Sequence, residues 1–165
     1  MKKYELTAEF IEKWGKKLFR IKALISFGSV EAGEFGGYVE KEDNLAQEGD
    51  AWVYGDAWVY GDARVYGDAW VCGNAEVCGN ADYLLIGRIG SRFSFTTFFK
   101  NKDKGITVSC GCFLGTIAEF RAKVTDTHGN NKHAKMYNLA ADMAELQILG
   151  EEHFDNLNTN KSEPF

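Results

Sequence analysis

No run of this 165-residue chain is both apolar and long enough to span a membrane. The opening residues Met1-Lys2-Lys3-Tyr4-Glu5-Leu6-Thr7 have no apolar stretch behind their lysines, so no signal peptide is read there and a soluble, cytoplasmic protein is expected. Positive charge is scarce. The 19 Lys and Arg face 24 Asp and Glu, for a net charge of -5 and a pI near 5.3. The mean field of such a chain repels phosphate backbones and anionic lipid, so neither nucleic acid nor membrane is an expected partner. Familiar chemical signatures are also missing, among them a Walker loop, a zincin motif, a nucleophile elbow and a dinucleotide fingerprint. The four cysteines, Cys72, Cys78, Cys110 and Cys112, have neither zinc half-site nor disulfide-framework spacing, and read as small apolar strand fillers. The Gly-Asp-Ala turns place single carboxylates on separate faces and cannot gather the oxygens calcium needs. No metal and no cofactor is expected.

What is present is core-forming material, 45% hydrophobic and 14% aromatic. Thr7, flanked by Leu6 and Ile11, has the look of an N-cap with a hydrophobic staple. With Phe10, Ile11, Trp14 and Leu18 at helical spacing, it predicts a helix over residues 8–19. Residues 20–39 turn to short β-branched pieces cut by Gly28, Gly33, Gly36 and Gly37, which is strand and turn chemistry.

A six-residue period follows. Val53-Tyr54-Gly55-Asp56-Ala57-Trp58 is succeeded by four further copies that begin at Val59, Val65, Val71 and Val77, and is preceded by Gly49-Asp50-Ala51-Trp52. A fixed short period means one unit stacked on itself. Within each copy the Trp-Val-Tyr piece alternates outward, inward, outward. Gly-Asp or Gly-Asn makes the turn, and Ala fits the tight corner. Beyond Asp82 the period ends. Residues 83–89, 93–99 and 106–113 read as strands, and helices are predicted from about 116 and over 132–149, the second capped by Asn130 or Asn131. Residues 151–165 read as a polar, frayed tail.

An aliphatic residue followed by Gly-Asp/Asn-Ala every six positions resembles the hexapeptide-repeat family. The resemblance implies a short left-handed parallel β-helix of about two coils, three repeats to a coil, assembled as a homotrimer. The stretch from Gly36 to Gly49 is similar to the lead-in of small phage and prophage repeat proteins. Ile89-Gly90-Ser91-Arg92, Thr96-Thr97-Phe98, Gly111-Cys112-Phe113, Gly115-Thr116 and Thr127-His128-Gly129-Asn130 resemble a C-terminal module of phage proteins. The expected fold is α+β: an N-terminal helix with lead-in turns (1–47), the β-helix (48–82), a β-hairpin plus two helices (83–150) and the tail (151–165).

Three constellations bear on function. Hexapeptide proteins are known as acyltransferases that use a histidine as general base, yet His128, His133 and His153 all follow the repeat. The outward aromatics Trp52, Trp58, Trp70, Tyr54, Tyr60 and Tyr66, with Arg64, form either a subunit interface or a stacking platform for a planar ligand. Trp52 would lie one strand from Trp70, and Trp58 over Glu76. Ser91 and Arg92 beside Gly90, with Thr96 and Thr97, have the donors for a phosphate, and His128 is a further ligand contact. The same residues also suit an ordinary turn and strand hydroxyls. The reading is a non-enzymatic, oligomeric binding protein, phage- or prophage-encoded, that sequesters a nucleotide-like ligand or a host protein in a counter-defence role. Its alternatives are a hexapeptide acyltransferase acting on acyl-CoA, and a purely structural assembly module.

Overall fold

In the computed structural model, which describes residues 1–159, the segment expected to open with a helix is a β-hairpin. Strand β1 (Tyr4–Lys13) pairs antiparallel with β2 (Lys16–Ala23), with Phe10 opposite Phe19, Ile11 opposite Leu18 and Lys13 opposite Lys16. The two residues between them, Trp14 and Gly15, have φ of 50° and 74°, the left-handed conformation that a two-residue hairpin turn requires. Thr7 caps no helix. Its Oγ1 accepts from the Glu9 N–H where the β1 register shifts, which is the same local chemistry used at a bulge. Burial of Tyr4, Leu18 and Ile21 overrides the accidental helical spacing.

Strand β3 (Phe35–Val39) lies antiparallel to β2 and parallel to β5 (Trp58–Val59), which is parallel to β7 (Glu76–Val77). The resulting sheet has the order β1-β2-β3-β5-β7. Strands β4 (Trp52–Val53) and β6 (Trp70–Val71) form a separate parallel pair. Trp52 is in register with Trp70 and Trp58 with Glu76, while Leu45 and Val65 make a single parallel bridge. The left-handed parallel β-helix expected from the hexapeptide resemblance is not formed. The parallel pairs are two residues long, and the largest sheet is mixed, with the antiparallel hairpin on its edge. So few repeats leave both ends of the stack exposed, and flanking elements cover them. Of the expected architecture, the α+β class holds.

The repeat valines Val53, Val59, Val65, Val71 and Val77 are fully buried, together with Ala57, Ala69 and Ala75, in a core that includes Tyr4, Ile21, Val39, Trp52 and Phe99. A second core, with Phe98, Val108, Phe120, Tyr137 and Ala141, lies beyond it. Strand β9 separates the two, since consecutive residues Phe98 and Phe99 point to opposite faces.

The C-terminal part exceeds the expected hairpin. Strands β8 (Tyr83–Ile89), β9 (Ser94–Lys100), β10 (Ile106–Cys110) and β11 (Phe113–Thr116) form a four-stranded antiparallel sheet in the order β11-β10-β9-β8. Helix α1 (Ile117–His128) starts at a capping box in which Thr116 accepts from the Glu119 N–H and Glu119 accepts from the Thr116 N–H. Asn131 caps α2 (Lys132–Leu149) through the Ala134 N–H. Where a frayed tail was expected, Glu151–Thr159 forms a third helix, α3, and the rest of that tail lies outside the described residues. Among the described residues no helix is long and apolar enough to cross a membrane.

Candidate functional site

The repeats meet the C-terminal sheet along a seam. The Trp70 N–H donates to Thr97 Oγ1 at 3.2 Å, and the Lys102 N–H donates to the Asn74 carbonyl at 3.0 Å. The surfaces part above these bonds and leave a cleft of about 640 Å³, lined by Tyr54, Trp70, Cys72, Lys102, Phe113 and Leu114 among others. That volume suits a small molecule of moderate size. Tyr54 and Trp70 form one wall, their rings stacked 6.0 Å apart and 18° from parallel. The parallel pairing of β4 with β6 sets this up. Tyr54 leaves the end of β4 on the open side, and the ring of Trp70 lies one strand away. The β10–β11 turn, with Gly111 and Cys112, and the start of β11 supply the facing wall.

Lys102 is the cleft's own cation. Its Nζ donates to the Asp56 carbonyl at 3.0 Å and sits 3.7 Å from the centre of the Trp58 ring. Burial pulls its pKa below the usual lysine value, with Asp56 and Glu76 acting in the opposite sense. Burial also raises the pKa of Cys72, so that thiol is neutral and a poor nucleophile at neutral pH. Histidine does not line the cleft.

The residues predicted to hold a phosphate are partly brought together. His128 lies beside Tyr137, and the charge of Arg92 acts on the Tyr137 phenol. The His128 ring stacks on Tyr137 with centres 5.8 Å apart, and the Arg92 charge draws the phenol's pKa down against the stronger upward effects of burial and Cys110. The exposed guanidinium of Arg92 extends over Gly111, with Nη1 3.8 Å from where a side chain there would start. Arg92 has no hydrogen bond or ion pair among the described residues. Ser91 is exposed. Thr96 and Thr97 are buried and structural, since Thr96 Oγ1 donates to Cys110 Sγ at 3.2 Å and Thr97 receives the Trp70 N–H.

The aromatic set divides in the same way. Trp52 does not face outward: it is fully buried under Tyr4 and Phe27, at ring distances of 6.2 and 5.3 Å. It can serve neither as an interface nor as a platform. Trp58 is half-buried against Trp14, and the Tyr60 hydroxyl donates to Glu76 at 2.8 Å. Tyr66 is exposed, edge-on to Tyr83, while the exposed Arg64 offers its carbonyl to the Tyr83 hydroxyl at 2.7 Å.

Lys102, Tyr137, Cys110 and Phe113 carried no site signal in the sequence. Tyr137 read as one apolar position of a helix, and its role follows only from the closeness of Gly90. Among the described residues no three His, Cys, Asp or Glu side chains converge as metal ligands do. Searched against models of protein families and against curated proteins, the chain matches none. The hexapeptide-family and phage-type resemblances read from the repeats, the lead-in and the C-terminal segment are accordingly set aside, together with the roles drawn from them alone.

Proposed function

We propose that this is a non-catalytic binding protein that retains a planar, phosphate-bearing small molecule of nucleotide type in the Tyr54–Trp70 cleft. The supporting observation is the cleft's composition: two stacked rings on a mostly apolar wall, with Lys102 lining it and the unpaired Arg92 guanidinium above Gly111 at its border. A base or other flat ring gains by offset stacking on Trp70. In a chain of net charge -5 an anionic group needs a local cation, and a guanidinium offers a phosphate two parallel donors. Retention is favoured over turnover because the buried thiol is neutral and no imidazole reaches the cleft as a general base. The rival, acyl transfer, requires such a base.

Tryptophan fluorescence tests the reading. Titration with a mononucleotide is expected to quench emission saturably, and Trp70→Phe is expected to remove most of that quenching, because Trp52 is sealed in the core and Trp14 and Trp58 do not line the cleft. Quenching that survives Trp70→Phe places the ligand elsewhere, and the absence of any response to a panel of nucleotides rejects the class.

A further inference from the structure

An acidic chain hides one strongly basic segment. Between Lys13 and Lys22 stand Lys13, Lys16, Lys17, Arg20 and Lys22 with no carboxylate among them. The hairpin register sets Lys13 directly opposite Lys16, and of the two only Lys16 has a carboxylate partner, Glu40. Rings and cations alternate across this sheet. Arg20 is in register with Tyr38, and Tyr38 with Trp58. The Arg20 guanidinium packs over both Tyr38 and Phe35, and Lys22 Nζ lies 5.5 Å from the Phe35 ring. Trp58 has two ammonium groups on it, Lys102 at 3.7 Å and Lys13 at 5.1 Å, and Trp14 leans edge-on against it at 5.9 Å. Trp14 is 65% exposed and Phe35 48%, so flat apolar surface is left open beside the charges.

Glu5 stands opposite Lys22 in the β1–β2 register without an ion pair among the described residues, and the other acidic groups of this face are engaged. Glu9 pairs with Arg20 at 3.3 Å, Glu40 with Lys16 at 2.8 Å, and Glu76 accepts the Tyr60 hydroxyl. Lys13, Lys22 and Lys102 have no carboxylate within ion-pair distance among the described residues. We propose that the sheet face bearing Lys13, Lys22, Lys102, Trp14, Trp58 and Phe35 docks a single-stranded nucleic acid, bases stacking on the open rings and phosphates meeting the unpaired ammonium groups.

Such platforms pair a positive track with aromatic rings, and are indifferent to sequence because every base has a flat face. The charge is complementary locally although the chain as a whole is acidic, since screening limits each interaction to about 8–10 Å at physiological salt. An anionic membrane fits less well. A membrane anchor projects its tryptophan from a tip, whereas Trp14 folds back onto Trp58 and Tyr60. Lys102 borders both sites, whereas Trp14, Lys13 and Lys22 do not line the cleft, so variants at those three residues test the docking face separately.

The test is fluorescence anisotropy of the whole protein with labelled oligo-dT and oligo-U at several salt concentrations, beside sedimentation with phosphatidylserine vesicles. Binding to the oligonucleotides is expected to weaken with salt. Trp14→Ala should lower affinity at least about fivefold. Lys13→Gln with Lys22→Gln should reduce the slope of log affinity against log salt by about 1.4, the loss of two phosphate contacts. Circular dichroism confirms that each variant is folded, and mononucleotide quenching at Trp70 should be unchanged in them. No oligonucleotide binding at low salt, binding that the folded variants retain in full, or binding to vesicles alone would each overturn the proposal.

Discussion

The Tyr137 hydroxyl fills the space that a side chain at residue 90 would need: a Cβ placed on Gly90 would lie 1.8 Å from it. Gly90 also has φ of +76°, so the β8–β9 turn and helix α2 are fitted to each other through a missing side chain and a left-handed backbone.

Gly90→Ala is expected to push Tyr137 aside and destabilise the protein by about 1–3 kcal/mol through overpacking and backbone strain. Adding Tyr137→Phe removes the colliding oxygen and should recover part of the loss, while the strain at residue 90 remains. A strictly additive double variant in denaturant unfolding would show that the two residues are not coupled.

Neighbouring residues in the repeats should differ sharply. Val65 is fully buried and Arg64 is exposed. Val65→Asp buries a carboxylate without a partner and should cost roughly 3 kcal/mol, whereas Arg64→Asp should stay within about 0.5 kcal/mol. Equal losses in urea unfolding would refute the inward assignment of the repeat valines.

Phenols held wholly or partly from water predict the response to alkali. Burial raises the pKa of Tyr4, Tyr60 and Tyr83 above the usual tyrosine value, with Glu42 adding to the effect at Tyr4 and Glu76 at Tyr60. Each folded-state value lies above its unfolded one, so their stabilisation is complete below the ordinary tyrosine pKa of about 10 and is lost as pH rises beyond it. Lys3 acts in the opposite sense. Burial lowers its pKa, so the unfolded chain holds that proton more tightly and the Lys3 contribution grows with pH up to about 10.5. Tyr137 adds to the phenols and Lys102 to Lys3, so four phenols stand against two ammonium groups and the melting temperature is expected to fall above about pH 10. A melting temperature that holds steady from pH 9 to pH 11 contradicts the assignment.

Local chemistry in this sequence is legible where both partners are neighbours. The Asn131 cap is complete within three residues, and so is readable before the fold is known. Thr7 shows the limit, since the side chain that could cap a helix instead serves a bulge. The choice was made by Trp14 and Gly15 at the turn and by burial of Tyr4, whose partners Glu42 and Leu45 are far along the chain. The six-residue period is plain, yet the structure it builds depends on what covers its ends. Of the residues named for a ligand, His128 stacks on Tyr137 and Arg92 is exposed, while Thr96 and Thr97 are packed inside. Tyr54 and Trp70 read as outward aromatics, but the cleft itself was beyond reading, because its other walls come from the β9–β10 turn, the β10–β11 turn and β11, and no local pattern marks their meeting.

Isothermal titration calorimetry tests the account's central claim, a nucleotide-type ligand held by stacking in the cleft and by charge at its border. The wild-type chain is expected to bind a mononucleotide and to bind inorganic phosphate far more weakly, with a melting temperature that rises as ligand is added. At one hundred times the dissociation constant the gain is about 2.7 kcal/mol. Trp70→Ala and Arg92→Ala should each weaken binding at least about tenfold, a loss near 1.4 kcal/mol, while Arg92→Ala leaves the ligand-free melting temperature unchanged. Wild-type affinity retained in both variants, or an Arg92→Ala protein that melts early without ligand, would contradict the account.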